Sequence, residues 1–152
     1  MLSDKLLQLA DGVALNTGAA GNYVIGDQID LGPTARGIGA LVGNAALYLV
    51  ITVDVAAVSA TGTVSFSLLT DGDPTMASPN VVVTTPVFLA ADLPAGKLVF
   101  CAALPVGFGW ERYVGLRQTT GVAAFTAGAV TAIFTPTPPA RFHYPQNAAI
   151  SY

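Results

Sequence analysis

LYLVITVDVAAVSATGTVSFSLLT, residues 47–70, alternates along most of its length. Leu47, Leu49, Ile51, Val53 and Val55 fall on one face of an extended strand, and Tyr48, Val50, Thr52 and Asp54 fall on the other. A side-chain period of two belongs to strands, whereas a helix repeats about every 3.6 residues. Past a small loop at Ser59–Gly62 the alternation resumes, with Val64, Phe66 and Leu68 facing in and Thr63, Ser65 and Ser67 facing out. Two such runs joined by a short Gly-containing loop predict an antiparallel hairpin. A hairpin with one apolar face and one wet face needs a second layer to cover it.

The flanking sequence has the strands for that layer. Toward the C-terminus, Asp71–Asn80 (DGDPTMASPN) is dense in turn formers. Val81–Thr85 is a short strand stopped by Pro86, and Ala90–Gly96 is a loop. In Lys97–Ala103, Leu98, Phe100 and Ala102 alternate with Lys97, Val99 and Cys101. After a turn at Leu104–Gly109, Glu111–Thr119 sets Arg112, Val114 and Leu116 opposite Tyr113, Gly115 and Arg117. Thr120–Ala124 turns again and Phe125–Thr135 closes the set. Toward the N-terminus, Gly32–Asn44 is a loop with four glycines, Pro33 and Arg36 as its one charge. Asn22–Leu31 is a strand interrupted at Gly26, where a bulge or turn is expected. These seven or eight short strands, with no sustained helical period, predict an all-β fold, an antiparallel β-sandwich or jelly roll over residues 16–135.

The two ends of the chain read differently. Met1–Leu15 carries Leu2, Leu6, Leu7, Leu9 and Ala10; it is short for an isolated helix and is expected to be an N-terminal arm docked by its apolar side chains. Pro136–Tyr152 (PTPPARFHYPQNAAISY) holds four prolines, which forbid a central strand. Phe142, Tyr144, Ile150 and Tyr152 have nothing local to pack on, so this C-terminal arm is expected to order on a neighbour. Leu6, Leu7, Leu9, Arg141, Phe142, Tyr144 and Tyr152 are the expected interface residues.

Composition narrows the function classes. Of 152 residues, 53% are apolar and only 10% charged, against about 25% charged in ordinary soluble domains; mean hydropathy is +0.61. So few charges fit a membrane protein or a protein largely covered by other subunits. The longest uncharged run, Gln118–Ala140, is broken by Gly121, Gly128 and Pro136 and diluted by six threonines, which argues against a spanning helix. An outer-membrane barrel normally needs a signal peptide, and Asp4 and Asp11 bracket a stretch too short for its apolar region. No membrane is therefore expected as a partner, and the chain is expected to stay where it is made. With a net charge of −3 and six scattered basic residues, no nucleic acid is expected either. Cys101 is the sole cysteine, expected to be a small buried apolar residue within a strand.

No catalytic constellation is visible, and the chain is expected not to be an enzyme. His143 is the only histidine, too few for a cupin-type metal site. Asp71-Gly72-Asp73 resembles the start of a calcium loop, but the further oxygen ligands and distal Glu that an EF-hand needs are missing from Pro74–Thr85. Neighbouring strand residues point to opposite faces, so Glu111 and Arg112 do not form a catalytic pair. No metal and no cofactor are expected.

Several stretches, in their shared order, resemble the jelly-roll capsid cement (decoration) proteins of tailed bacteriophages, of the type first associated with a Bordetella phage. They are Leu7-Gln8-Leu9-Ala10-Asp11-Gly12-Val13-Ala14, then Asn22-Tyr23-Val24-Ile25 with Ile29-Asp30-Leu31-Gly32, then Leu47-Tyr48-Leu49-Val50 and Ser67-Leu68-Leu69-Thr70-Asp71. Glu111-Arg112-Tyr113-Val114-Gly115-Leu116 and Thr126-Ala127-Gly128-Ala129-Val130-Thr131-Ala132 complete the series. The resemblance implies a structural virion protein, made in the host cytoplasm, that binds the exterior of the assembled shell. It would bridge major capsid protein subunits as a homodimer or homotrimer. The alternative is a carbohydrate-binding jelly-roll module with Trp110, Tyr113 and Tyr144 as its sugar platform.

Overall fold

The computed structural model describes residues 7–33, 47–105 and 108–137. Through them run β1 (Gln8–Ala14), β2 (Gly21–Asp30), β3 (Tyr48–Val58), β4 (Thr63–Asp71), β5 (Asn80–Thr84), β6 (Phe88–Leu89), β7 (Leu98–Ala103), β8 (Tyr113–Gly121) and β9 (Ala127–Thr135). The antiparallel pairings are nested: β4 with β5, β3 with β7, β2 with β8 and β1 with β9. The chain is thus one long hairpin, with residues 72–79 at its tip, rolled up until β8 also meets β4 and β9 also meets β3. Two sheets result, β1–β9–β3–β7 and β2–β8–β4–β5, with β6 added beside β4. This is a jelly-roll sandwich, the predicted class.

The stretch 47–70 is not a hairpin. β3 and β4 lie in opposite sheets, and Ser59–Gly62 carries the chain across between them. Alternation reports which side chains face a core, not which strand is the neighbour. Two strands share a core equally well by pairing edge to edge or by facing one another. Here Leu49, Ile51 and Val53 of β3 enter the same core as Val64, Phe66 and Leu68 of β4, each at most 2% exposed. Each such burial contributes about 1.5–3 kcal/mol. The crossing loop is fixed by Ser59 Oγ, which accepts the Gly62 N–H at 2.9 Å and donates to the Ala124 carbonyl at 2.8 Å.

One bulge changes the expected facing, and a second falls where it was expected. Val55, which alternation places on the core face, is 53% exposed. Between Val53 and Val55 the register with β9 slips by one residue, which turns Val55 to the outer face. At Gly26 the expected bulge is present: φ is +74°, and a Cβ there would lie 2.1 Å from the Leu9 carbonyl oxygen. The glycine lets the β2 backbone press on β1 and close that flank of the sandwich.

The N-terminal arm is corrected for its second half. Gln8–Ala14 is an edge strand of the first sheet, paired with β9, so the sandwich starts before residue 16. The outer faces are also less wet than alternation predicts. Ser65 and Ser67 are 7% and 2% exposed, and Val50 is 2% exposed. Over the second sheet, Met76 returns from the 72–79 turn against Gly115, whose added Cβ would meet its Cε at 3.0 Å.

Four border strands, β1, β2, β5 and β7, carry register shifts whose extra residues lie on the border strand itself, while the two-residue β6 carries none. The central pair β4–β8 runs from Thr63 to Asp71 without one.

Candidate docking surfaces

The topology sorts the loops into two ends. At one, β2, β4 and β7 finish and β3, β5 and β8 begin; at the other lie the loops β1–β2, β3–β4, β6–β7 and β8–β9.

The first end is knitted by polar side chains. Thr70, fully buried, accepts the Glu111 N–H at 2.8 Å and donates to the Tyr113 carbonyl at 3.1 Å. Asp71, 6% exposed, accepts the Asp73 N–H with one carboxylate oxygen and the Ser78 N–H with the other. The sequence resembling a calcium loop is therefore an acidic turn whose inner carboxylate is already engaged by backbone. Glu111 and Arg112 lie just before β8 and take different partners: Glu111 takes a 2.6 Å bond from Asn80 Nδ2, while Arg112 makes a two-pronged pair with Asp30, both bonds 2.9 Å. That guanidinium, together with the Gly32 N–H, holds the Asp30 carboxyl well below its usual range, to about 2.

The opposite end exposes apolar side chains. Val58, Val87, Leu89 and Val122 lie in or beside its loops, each at least half exposed, and Val55 stands on the outer face of β3 a few residues away. Val122, 75% exposed, has φ +65°, and the Ala123 N–H bonds back to the Gly121 carbonyl at 2.8 Å. This is a γ-turn centred on a β-branched residue, a strained conformation. Beneath it, Gln118 is fully buried and grips Asn16 by both backbone groups, at 2.8 Å and 3.1 Å, with a third bond to Thr120. Sequence reading missed the strain and the grip. No sequence signal marks Val122, because Val is the last residue expected at positive φ. Gln118 was visible as a polar residue in register with Leu116 and Val114.

Of the expected interface residues, Leu9 is corrected. It is fully buried in the core, because the bulge between Gln8 and Ala10 turns it inward, and its side chain has no surface to offer a partner. Leu7 is partly buried against that core. Leu6, Arg141, Phe142, Tyr144 and Tyr152 lie outside the described residues. The sugar platform is corrected too. Trp110 is 7% exposed and packs edge-on to Phe108 at 5.7 Å, so it presents no open ring face, while Tyr113 has Arg112 over one ring face at 5.0 Å and Tyr144 is outside the described residues. Cys101 is half-buried beside Val50 on the outer face, where burial pushes its thiol pKa up. Among the described residues no cluster of three or more His, Cys, Asp or Glu is placed to hold a metal, and no helix is long and apolar enough to cross a membrane.

No curated protein matches the chain. The sequence model of one family, Bbp16, matches residues 9–134. That match begins within β1 and ends within β9, so it takes in the whole sandwich and stops at the two terminal segments. The chain therefore belongs to the Bbp16 family, a family of Bordetella phage proteins.

Proposed function

We propose that the protein is a non-enzymatic component of the virion that binds the outer surface of the assembled capsid and bridges major capsid protein subunits. Membership in a phage protein family carries the reading. The low charge content supports it, as does an end of the sandwich that leaves four apolar side chains half exposed or more. An exposed apolar patch marks an interaction site more often than a free surface. The mechanism is linkage: a protein that binds the closed shell and not its separated subunits stabilises the shell by RT ln(1 + [L]/Kd) per site. Assembly as a dimer or trimer would raise the effective concentration of each contact. The terminal segments, with Leu6, Arg141, Phe142, Tyr144 and Tyr152, act as further grips.

Co-sedimentation with empty expanded capsids tests the proposal. Binding to the shells, with a raised shell melting temperature, is the expected result; a soluble monomer indifferent to capsids overturns it. Deleting Pro136–Tyr152 is expected to leave a folded sandwich that binds shells more weakly, and unchanged affinity would remove the C-terminal grip from the reading.

A further inference from the structure

Arg117 stands at the middle of β8, and its side chain lies on the face of the second sheet turned away from the core. Register sets Val24 of β2 on one side of it, Ser67 of β4 on the other, and Thr84 of β5 beyond Ser67. The next row toward the apolar end is Asn22, Thr119 and Ser65; the next row the other way includes Gly115, Leu69 and Val81. The polar groups beside Arg117 satisfy one another. Thr119 Oγ1 donates to Asn22 Oδ1 at 2.8 Å, and the Ser67 and Thr84 hydroxyls bond to each other at 3.0 Å.

Arg117 is left out of this pairing. Its Nε is shut off from solvent and has no hydrogen-bond partner. Among the described residues the sole ion pair within 4.0 Å is that of Arg112 with Asp30, so Arg117 has no carboxylate at that distance. A guanidinium is charged at every working pH and holds five donors in a fixed fork. Ser65, Ser67 and Gly115 around it are themselves buried, Gly115 beneath Met76, while Val24 and Val81, 38% and 42% exposed, stand on the two outer strands. One partly exposed cation with no partner, set between two exposed valines, matches the composition of a binding hot spot, in which Arg is over-represented.

We propose that this face docks a protein partner through a carboxylate presented to Arg117, with Val24 and Val81 as apolar contacts at its sides. A planar carboxylate matches the guanidinium fork with two parallel bonds. One positive charge balances one carboxylate, whereas a polyanion would meet repulsion from a chain of net charge −3. The inference takes the identity of the partner, the capsid shell, from the function proposed above; the chemistry of the contact stands on the face itself.

Full-length protein carrying Arg117→Gln, Arg117→Lys or Arg117→Glu is titrated onto empty expanded capsids. The expected loss is about 30-fold or more for Gln, less for Lys, which keeps the charge without the fork, and most for Glu, with each variant melting near the wild type. If the wild type binds shells and the Gln and Glu variants bind as tightly, the docking face is wrong and the capsid reading stands. If the wild type does not bind shells, the capsid reading fails, and the contact is tested on the free wild-type protein. There the Arg117 Nε–H resonance is followed by 15N NMR as acetate is added, against sodium chloride at equal ionic strength. A saturating shift with acetate alone supports carboxylate recognition. An equal response to both salts, or a stronger one to inorganic phosphate, overturns it.

Discussion

Where β4 turns toward β5 and the chain enters β8, side chains of Thr70, Asp71, Asn80 and Glu111 bond to backbone or to one another. At the far end of the same strands, Val58, Val87, Leu89 and Val122 stand in solvent. Both ends are made of loops joining the same two sheets, so the contrast does not come from topology. The polar end commits its loop side chains to bonds with the sandwich; the apolar end ties its loops through Ser59 and Gln118 but leaves its exposed valines and Leu89 uncommitted. The first arrangement serves folding, and the second is useful only if something else covers it.

The contrast can be broken by mutation. Asp71→Ala removes the acceptor for two backbone N–H groups and is expected to cost about 2–3 kcal/mol in urea denaturation; a loss below about 0.5 kcal/mol would show that the polar end does not need its bonds. At the opposite end, Val122→Gly releases a positive-φ strain and is expected to stabilise by about 1 kcal/mol; destabilisation would mean that Val122 packs on the sandwich rather than standing free of it. Leu89→Ser is expected to shift stability by no more than about 0.5 kcal/mol while weakening shell co-sedimentation, and the reverse pattern would make Leu89 a core residue. The smallest effect is electrostatic. Asp30 has a depressed pKa, so its pairing with Arg112 contributes fully above the ordinary carboxylate range and is lost as pH falls through about 2. Wild type and Asp30→Asn should therefore differ in melting temperature by a small constant amount above about pH 4 and converge near pH 2; a gap that widens on acidification would contradict the ion pair as its source.

Strand positions were legible in the sequence because burial on one face writes a period of two, and β3, β4, β7 and β8 fall where Leu49, Phe66, Phe100 and Leu116 alternate with their neighbours. The partner of each strand was not legible. β3 and β4 point their apolar residues at the same core, and nothing in their alternation says that a whole sheet separates them from pairing. Gly26 announced its bulge because only glycine accepts that approach to Leu9. Val55 did not, since a slip of one residue on β3 leaves no compositional mark. Leu9 misled for a related reason: an apolar residue near a chain end looks unpartnered until the strand that receives it, β9, is known. At the apolar end the individual valines were visible, but their gathering at one end depends on long-range nesting of strands.

The extra residues on β1, β2, β5 and β7 have a consequence for crowding. Proteins arrayed side by side on a repeating scaffold meet one another at very high local concentration, and a sparsely charged sandwich has little repulsion to keep copies apart. An unmodified border strand would then act as a template, and neighbouring copies would zip into continuous fibres. Each of these borders is interrupted by its added residues, which works against a ladder running from one molecule to the next. The chain can thus be poor in charge while its sheets still end where the molecule ends.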